Sequence, residues 1–289
     1  MDVPVQQVIR PTTVAEALAV LASRADARPI AGGTDLMVQL RDGRRSVSCV
    51  VDLDGLGLAG IRRAEDRFEI GAATTMDRIA ADPGIRAHFP ALAAAARTVG
   101  AWPIQCRATL GGNLANASPA ADTAPALLVA DALLTVASPE GSRHVPVASF
   151  FLGPGRCALL RGELLVSVEL PLAPARPGSR VVERFVKIGP RREQVISVVS
   201  FAGRAALLPD GTVDAISLAL GSVAPTPVRA RRAEAVVTNR RLDGATRREA
   251  VVALQRDIAP IDDVRAPAEY RRLAAAVLLD RFLKEVDRA

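Results

Sequence analysis

From its thirteenth residue the chain alternates between helical and strand-like hydrophobic patterns. Thr13 and Glu16 form a capping-box signature, and VAEALAVLAS (14–23) carries apolar residues at helical spacing. RPIAGGTDL (28–36) predicts a short strand entering a glycine turn, and SVSCVVDL (46–53) predicts a buried strand. RFEIGA (67–72) predicts a further strand, after which TTMDRIAAD (74–82) opens a helix with a threonine N-cap. A helix is predicted at ALAAAARTVG (91–100), then a long loop rich in Gly, Asn, Ser and Pro (103–122). TAPALLVADA (123–132) reads as a helix, followed by strands at ALLTVAS (132–138), SRHVPVA (142–148) and ELLVSVELP (163–171).

The pattern then changes. PLAPARPGS (171–179) holds three prolines and a glycine in nine residues, which suits neither a helix nor a central strand. Beyond it, strands at 181–188, 196–207 and 213–220 predict a small antiparallel sheet, and helices are predicted near 229–238, 244–257 and 267–286. Alternating α and β elements followed by strands and then helices predict an α+β protein of two domains. The first spans 1–175, in two lobes of about 1–57 and 58–175, and the second spans 178–289.

A length of 289 residues and a 49% hydrophobic composition suffice for such cores. No apolar run approaches the ~20 residues of a membrane-spanning helix, and Met1–Arg10 lacks the pattern of a secretory signal, so a cytoplasmic location is expected. Cys49, Cys106 and Cys157 are scattered and form no CxxC pair, so no thiolate-bound cluster or structural zinc is expected within this chain. The net charge of +6 comes from 35 arginines and two lysines, Lys187 and Lys284. The arginines are spread as pairs, and one Trp, one Tyr and seven Phe supply few stacking platforms, so nucleic-acid binding is not expected. His88 and His144 lie in contexts that suggest surface or turn positions, and no general-base pair is evident.

Three glycine clusters carry the candidate chemistry. Gly55, Gly57 and Gly60 spell GxGxxG after a strand, but the chain returns to a strand within about ten residues. That leaves no room for the helix of a dinucleotide fold, so the cluster reads as a turn between strands. The run Pro29-Ile30-Ala31-Gly32-Gly33-Thr34-Asp35-Leu36 is different: paired glycines let backbone N–H groups converge on an anion, and Thr34 adds a hydroxyl. Thr109-Leu110-Gly111-Gly112-Asn113 has matching chemistry, and two such turns suit a diphosphate gripped from both sides. The missing GK[ST] argues against a P-loop.

AGGTDL, TLGGNLANASPAADTAPALLVADA, FFLGPGRCALLRGELLVSVELP and RFVKIGPRRE together resemble the FAD-binding medium subunit of molybdenum hydroxylases, the xanthine dehydrogenase and aerobic carbon monoxide dehydrogenase type. The resemblance extends through VAPTPVRARRAEAVV and YRRLAAAVLLDRFL to the C-terminal region. It implies a two-lobed FAD-binding domain of the PCMH type, followed by the family's C-terminal domain. By this resemblance Pro29–Leu36 and Thr109–Asn113 clasp the FAD diphosphate. Asp122 matches a cofactor-contacting position, although it also sits where it would cap the following helix. Leu165 matches an apolar residue near the flavin, or is ordinary strand core. Lys187 matches a basic residue near the isoalloxazine, or is a solvated charge at a strand end. Two stretches depart from the pattern: Ile104-Gln105-Cys106 replaces an Ile-Arg-Asn run, and Gly153-Pro154-Gly155-Arg156 replaces a Gly-Tyr-Arg motif.

The resemblance further implies a small partner subunit with two [2Fe-2S] clusters and a large one with the molybdenum cofactor, in a dimer of heterotrimers. Electrons would pass through FAD to NAD, a quinone or oxygen as soluble acceptor. Competing readings are an assembly subunit with a degenerate FAD site and a stand-alone FAD oxidase. The second lacks a histidine or cysteine in a flavin-attachment context.

Overall fold

The computed structural model describes residues 5–172, 176, 178–191 and 193–289. The first lobe runs β1 (Gln7–Ile9), α1 (Val14–Ser23), β2 (Ala27–Ile30), α2 (Leu36–Arg41) and β3 (Cys49–Asp52). Its three strands form a parallel sheet ordered β1-β3-β2. The predicted capping box forms with a shift. Thr13 Oγ1 accepts from the Glu16 N–H at 3.1 Å, whereas the Glu16 carboxylate reaches back to the N–H of Thr12 at 2.8 Å. Ala17, Leu18 and Leu21 of α1 pack on Cys49 and Val51, which closes this small core.

The second lobe begins with β4 (Ile61–Arg63) and β5 (Arg67–Gly71), separated from β3 by the Gly55–Gly60 turn. The turn is therefore strand-to-strand, as the spacing predicted. There follow α3 (Met76–Ala81), α4 (Pro83–His88), α5 (Pro90–Arg97), α6 (Trp102–Gln105), α7 (Leu110–Ala115) and α8 (Thr123–Val129). Strands β6 (Leu133–Ser138), β7 (Gly141–Pro146), β8 (Phe151–Gly153), β9 (Arg156–Cys157) and β10 (Leu164–Pro171) complete the lobe. Five of its strands make an antiparallel sheet ordered β4-β5-β10-β6-β7. The expected long loop at 103–122 is a correction: it contains α6 and α7. Two glycines lower helix propensity at Gly111 and Gly112, but neighbouring carbonyls capture the N–H groups that start α7.

Four residues of the expected linker at 171–179, numbers 173–175 and 177, lie outside the described residues. The C-terminal region has β11 (Arg180–Ile188), β12 (Val199–Leu207), β13 (Val213–Gly221) and β14 (Val228–Arg229). They form one antiparallel sheet in that order, followed by α9 (Arg231–Val237), α10 (Gly244–Leu254) and α11 (Ala268–Arg288). Among the described residues, no helix is long and apolar enough to cross a membrane.

The sheet is covered on both faces. Phe201, Leu218 and Leu220 pack with Leu279, Phe282 and Leu283 of α11. The cross-strand pair Ala202 and Ala219 joins the core of the second lobe instead, where Leu127 and Leu128 of α8 lie. Every residue of α8 is consequently buried, as expected for a helix with a sheet on one side and a core on the other. Polar ties add orientation. Glu183 Oε1 accepts from the Ala91 N–H at 3.0 Å, and Glu183 Oε2 pairs with Arg204 at 2.7 Å. Arg229 bonds Glu234, Ser217, Asp131 and the Leu128 carbonyl, which fixes the end of α8 to the C-terminal sheet.

Candidate functional site

The two lobes and the β11–β12 turn enclose a cleft of about 900 Å³. Its walls include every residue from Pro29 to Leu36, together with Thr109, Gly111, Gly112, Asn113, Asp122 and Leu165. Segments separated by more than 130 residues of sequence thus meet at one site.

The first glycine run follows β2 directly and turns at Gly33, whose φ of +71° lies in the left-handed region. Among the described residues, the N–H groups of Gly32, Gly33, Thr34 and Asp35 donate to no acceptor in the chain. A row of free donors beside a cleft suits an anion. Gly32 itself is required for a different reason. A Cβ there would lie 1.7 Å from the Arg107 carbonyl oxygen, so the run passes against the backbone just before the second glycine pair.

The second run works differently from the first. Its backbone donors are already engaged: Leu110 N–H bonds the Thr74 carbonyl, Gly111 N–H the Ala72 carbonyl, and Gly112 N–H the Thr109 hydroxyl. It therefore does not repeat the open cradle of the first run, and what it offers is proximity and side chains. A Cβ at Gly111 would lie 2.8 Å from that of Ala72, so glycine allows α7 to approach β5. Thr123 Oγ1 donates to Asn113 Oδ1 at 2.6 Å, which leaves the Asn113 NH₂ group for the cleft. Gln39 of α2 bridges the lobes by donating to both Asp35 and Asn116.

Asp122 occupies the N-cap position of α8, yet its side chain makes no cap bond. The carboxylate turns to Lys187 instead, whose Nζ lies 2.6 Å from Oδ2 and also donates to the Thr98 carbonyl at 2.9 Å. Oδ1 is buried with no hydrogen-bond partner. Burial pushes the Asp122 carboxyl up to about 6, against the opposing attraction of Lys187. The Lys187 side chain is 7% exposed, so a solvated strand-end charge is excluded. It does not line the cleft; it stands behind Asp122 and lines a separate depression with Thr98, Phe185 and Arg191. Leu165 is both things considered for it, a buried strand residue and a cleft wall.

Other cleft residues escaped the sequence reading. Gln194, Val195 and Ile196 of the β11–β12 turn line it, with Gln194 held at φ +49° by its N–H to the Gly100 carbonyl and by Arg191 on its own carbonyl. Nothing in the residue type announces this role. Arg28, Arg45 and Arg161 also line the cleft and add positive charge beside the free N–H row. The departures noted in the sequence sit close by. Gln105 is buried and donates to the Arg97 carbonyl at 2.7 Å, while Gly155 and Cys157 line the cleft.

Residues 4–173 match the family model described as the FAD binding domain in molybdopterin dehydrogenase. The chain belongs to that family. Residues 184–286 match the CO dehydrogenase flavoprotein C-terminal domain. The whole chain is accordingly a medium subunit of the molybdenum hydroxylase type, and its cofactor is FAD. The xanthine dehydrogenase FAD-binding subunit of Escherichia coli O157:H7 is 36% identical over 96% of this chain and 94% of its own. The carbon monoxide dehydrogenase medium chain of Afipia carboxidovorans is 31% identical over 95% and 94%. Among solved structures, the Cu,Mo-CO dehydrogenase in its cyanide-inactivated form superposes with a TM-score of 0.92 at 29% identity, covering 100% of this chain and 99% of that one. Quinoline 2-oxidoreductase from Pseudomonas putida 86 gives 0.91 at 27% identity, with the same coverage. A flavin dinucleotide fits the donor set of this medium subunit: a free N–H row and arginine side chains lining the same cleft suit a diphosphate.

Proposed function

We propose that this chain is the electron-transfer subunit of a molybdenum hydroxylase complex, standing between an iron–sulfur subunit and a soluble acceptor. The observation that carries this reading is the cleft itself, which the unpaired N–H groups of Gly32 to Asp35 share with Arg28, Arg45 and Arg161 in a space bounded by both lobes. FAD, when bound, supplies the exchange between one-electron and two-electron carriers. The residues of the chain bind and orient it. Gly32–Asp35 hold the diphosphate, Thr109 and Asn113 border it from α7, and Asp122 and Leu165 bound the ring region.

The family resemblance supports assigning two [2Fe-2S] clusters to a small partner and the molybdenum cofactor to a large one, in a dimer of heterotrimers. NAD, a quinone or oxygen is the acceptor class. The domain division at 175–178 follows the proline-rich segment and separates the two matched family regions.

The test is reconstitution. The isolated chain oxidises no organic substrate, yet its chemically reduced FAD is reoxidised by an added acceptor. Adding both partner subunits restores substrate-dependent bleaching of the flavin absorbance. Substrate oxidation by the isolated chain would overturn the division of labour.

A further inference from the structure

We propose that Arg271 and the hydroxyl pair of Ser197 and Ser222 form a buried bracket through which the C-terminal domain positions the 118–122 wall of the cleft for the cofactor. This rests on the reading of the cleft as the FAD site. All three are positioning residues, and none of them lines the cleft itself.

The wall has few ties of its own. Ser118, Ala120, Ala121 and Asp122 line the cleft between α7 and α8, and Pro119 among them has no N–H to give. Within the segment, the Ser118 hydroxyl accepts from the Ala120 N–H at 3.2 Å and the Ser118 carbonyl from the Ala121 N–H at 3.0 Å. The next two carbonyls are held from outside. Pro119 accepts from the Ser222 N–H at 2.8 Å, and the Ala120 carbonyl lies 3.5 Å from the Ser197 hydroxyl. Ser222 Oγ lies 2.9 Å from Ser197 Oγ and donates to the Ser197 carbonyl at 3.1 Å. Ser197 directly follows Gln194, Val195 and Ile196, which line the cleft from the C-terminal domain. The serine pair thus joins two walls of the cleft, one from each domain.

Arg271 fixes the strand ends that carry this pair. Its side chain comes from α11 and is 1% exposed. Nη1 donates to the Val198 carbonyl at 2.5 Å and to the Ser222 carbonyl at 3.1 Å. Nη2 donates to Asp263 at 2.7 Å, and Arg265, which also binds Asp263, reaches the Ser197 carbonyl at 3.3 Å. Two features point to orientation rather than packing. The adjoining core of the C-terminal sheet is apolar, and a buried ion pair adds little stability over apolar side chains of the same volume. Ser222 also holds φ at +63°, a conformation that non-glycine residues avoid and that persists where the surroundings impose it.

The experiment uses the full chain, with FAD affinity from fluorescence quenching and with thermal melting and amide hydrogen exchange of the apoprotein. Ser222→Gly and Ser222→Ala both remove the hydroxyl, but only glycine relaxes the backbone, so Ser222→Gly melts higher than Ser222→Ala. Both nevertheless weaken FAD alike, about fivefold, the worth of one net hydrogen bond. Both speed exchange at 118–122, whereas amides of α9 and α10 exchange as in the wild type. Arg271→Met, in which Asp263 keeps Arg265, has the same two effects with a larger loss of melting temperature. An affinity that follows the melting order of the Ser222 variants indicates a merely structural role and overturns the proposal, as does an affinity that neither variant changes. Folded Arg271→Met with wild-type affinity and exchange overturns the part assigned to Arg271. Unchanged exchange at 118–122 in the Ser222 variants overturns the bracket even if no protein binds FAD, whereas wild-type protein that binds no FAD removes the reading of the cleft.

Discussion

Gly32 and Arg107 approach so closely that a single methyl group cannot be placed between them: a Cβ on Gly32 would lie 1.7 Å from the Arg107 carbonyl oxygen. The relationship brings the first glycine run against the segment that leads into the second, across more than seventy residues of sequence.

Gly32→Ala therefore forces the first run away from the segment preceding α7 and misplaces the free N–H groups. Losing two charge-assisted hydrogen bonds at ~1.5–3 kcal/mol each weakens FAD by about two orders of magnitude or more. Gly57→Ala is the contrast. Gly57 has φ +70°, but a Cβ there meets nothing within 4 Å. It costs about 1–2 kcal/mol of stability through backbone strain and leaves FAD affinity unchanged. Parallel fluorescence titrations and thermal melts distinguish the two; equal FAD affinity in both variants contradicts the assignment.

Gly112 calls for a different argument, because its backbone is helical and a side chain is not strained there by φ. A Cβ would lie 2.9 Å from Thr109 Oγ1, the atom that caps α7. Gly112→Val is expected to cost about 0.5–2 kcal/mol of stability through the disturbed cap. It also weakens FAD by crowding the cleft wall. A variant with unaltered melting and binding would show that this cap is irrelevant to the site.

Glu183 couples the C-terminal sheet to α5 through the Ala91 N–H and Arg204. Glu183→Ala leaves the Arg204 guanidinium without its buried partner and should cost about 3–5 kcal/mol, while Glu183→Gln, which retains an acceptor for Ala91, should cost less. Chemical denaturation of the two variants measures the ordering, and an equal or reversed ranking contradicts this role.

Asp122 gives a pH dependence with a definite sign. Its folded value of about 6 lies above its ordinary 3.8, so the native state binds the proton more tightly than the unfolded chain. This contribution is present at low pH and is lost as pH rises through about 4 to about 6, by at most about 3 kcal/mol. Asp122→Asn should flatten that part of the stability–pH curve of the apoprotein, whatever its effect on absolute stability. Urea unfolding at a series of pH values checks it, and an unchanged slope sinks it.

Much of this architecture is legible in the residues. The capping box at Thr13, the strand entering Gly32-Gly33 and the strand-turn-strand character of Gly55–Gly60 follow from local periodicity and turn chemistry. What local pattern does not reveal is where hydrogen bonds go across the fold. The TLGGN segment looks like an open loop because glycines disfavour helix, yet the carbonyls of Ala72 and Thr74 start α7 there and consume its donors. Lys187 looks like a strand-end charge because its partner, Asp122, is 65 residues away. Gln194 reaches the cleft only because Gly100 and Arg191 hold it in a conformation its residue type rarely adopts.

The most direct test is the flavin content of the purified chain. The account predicts about one FAD per chain, held non-covalently, visible as a flavin absorbance and released intact on denaturation, with apoprotein regaining the spectrum when FAD is added. A protein that is colourless as purified and remains so after FAD addition would contradict it.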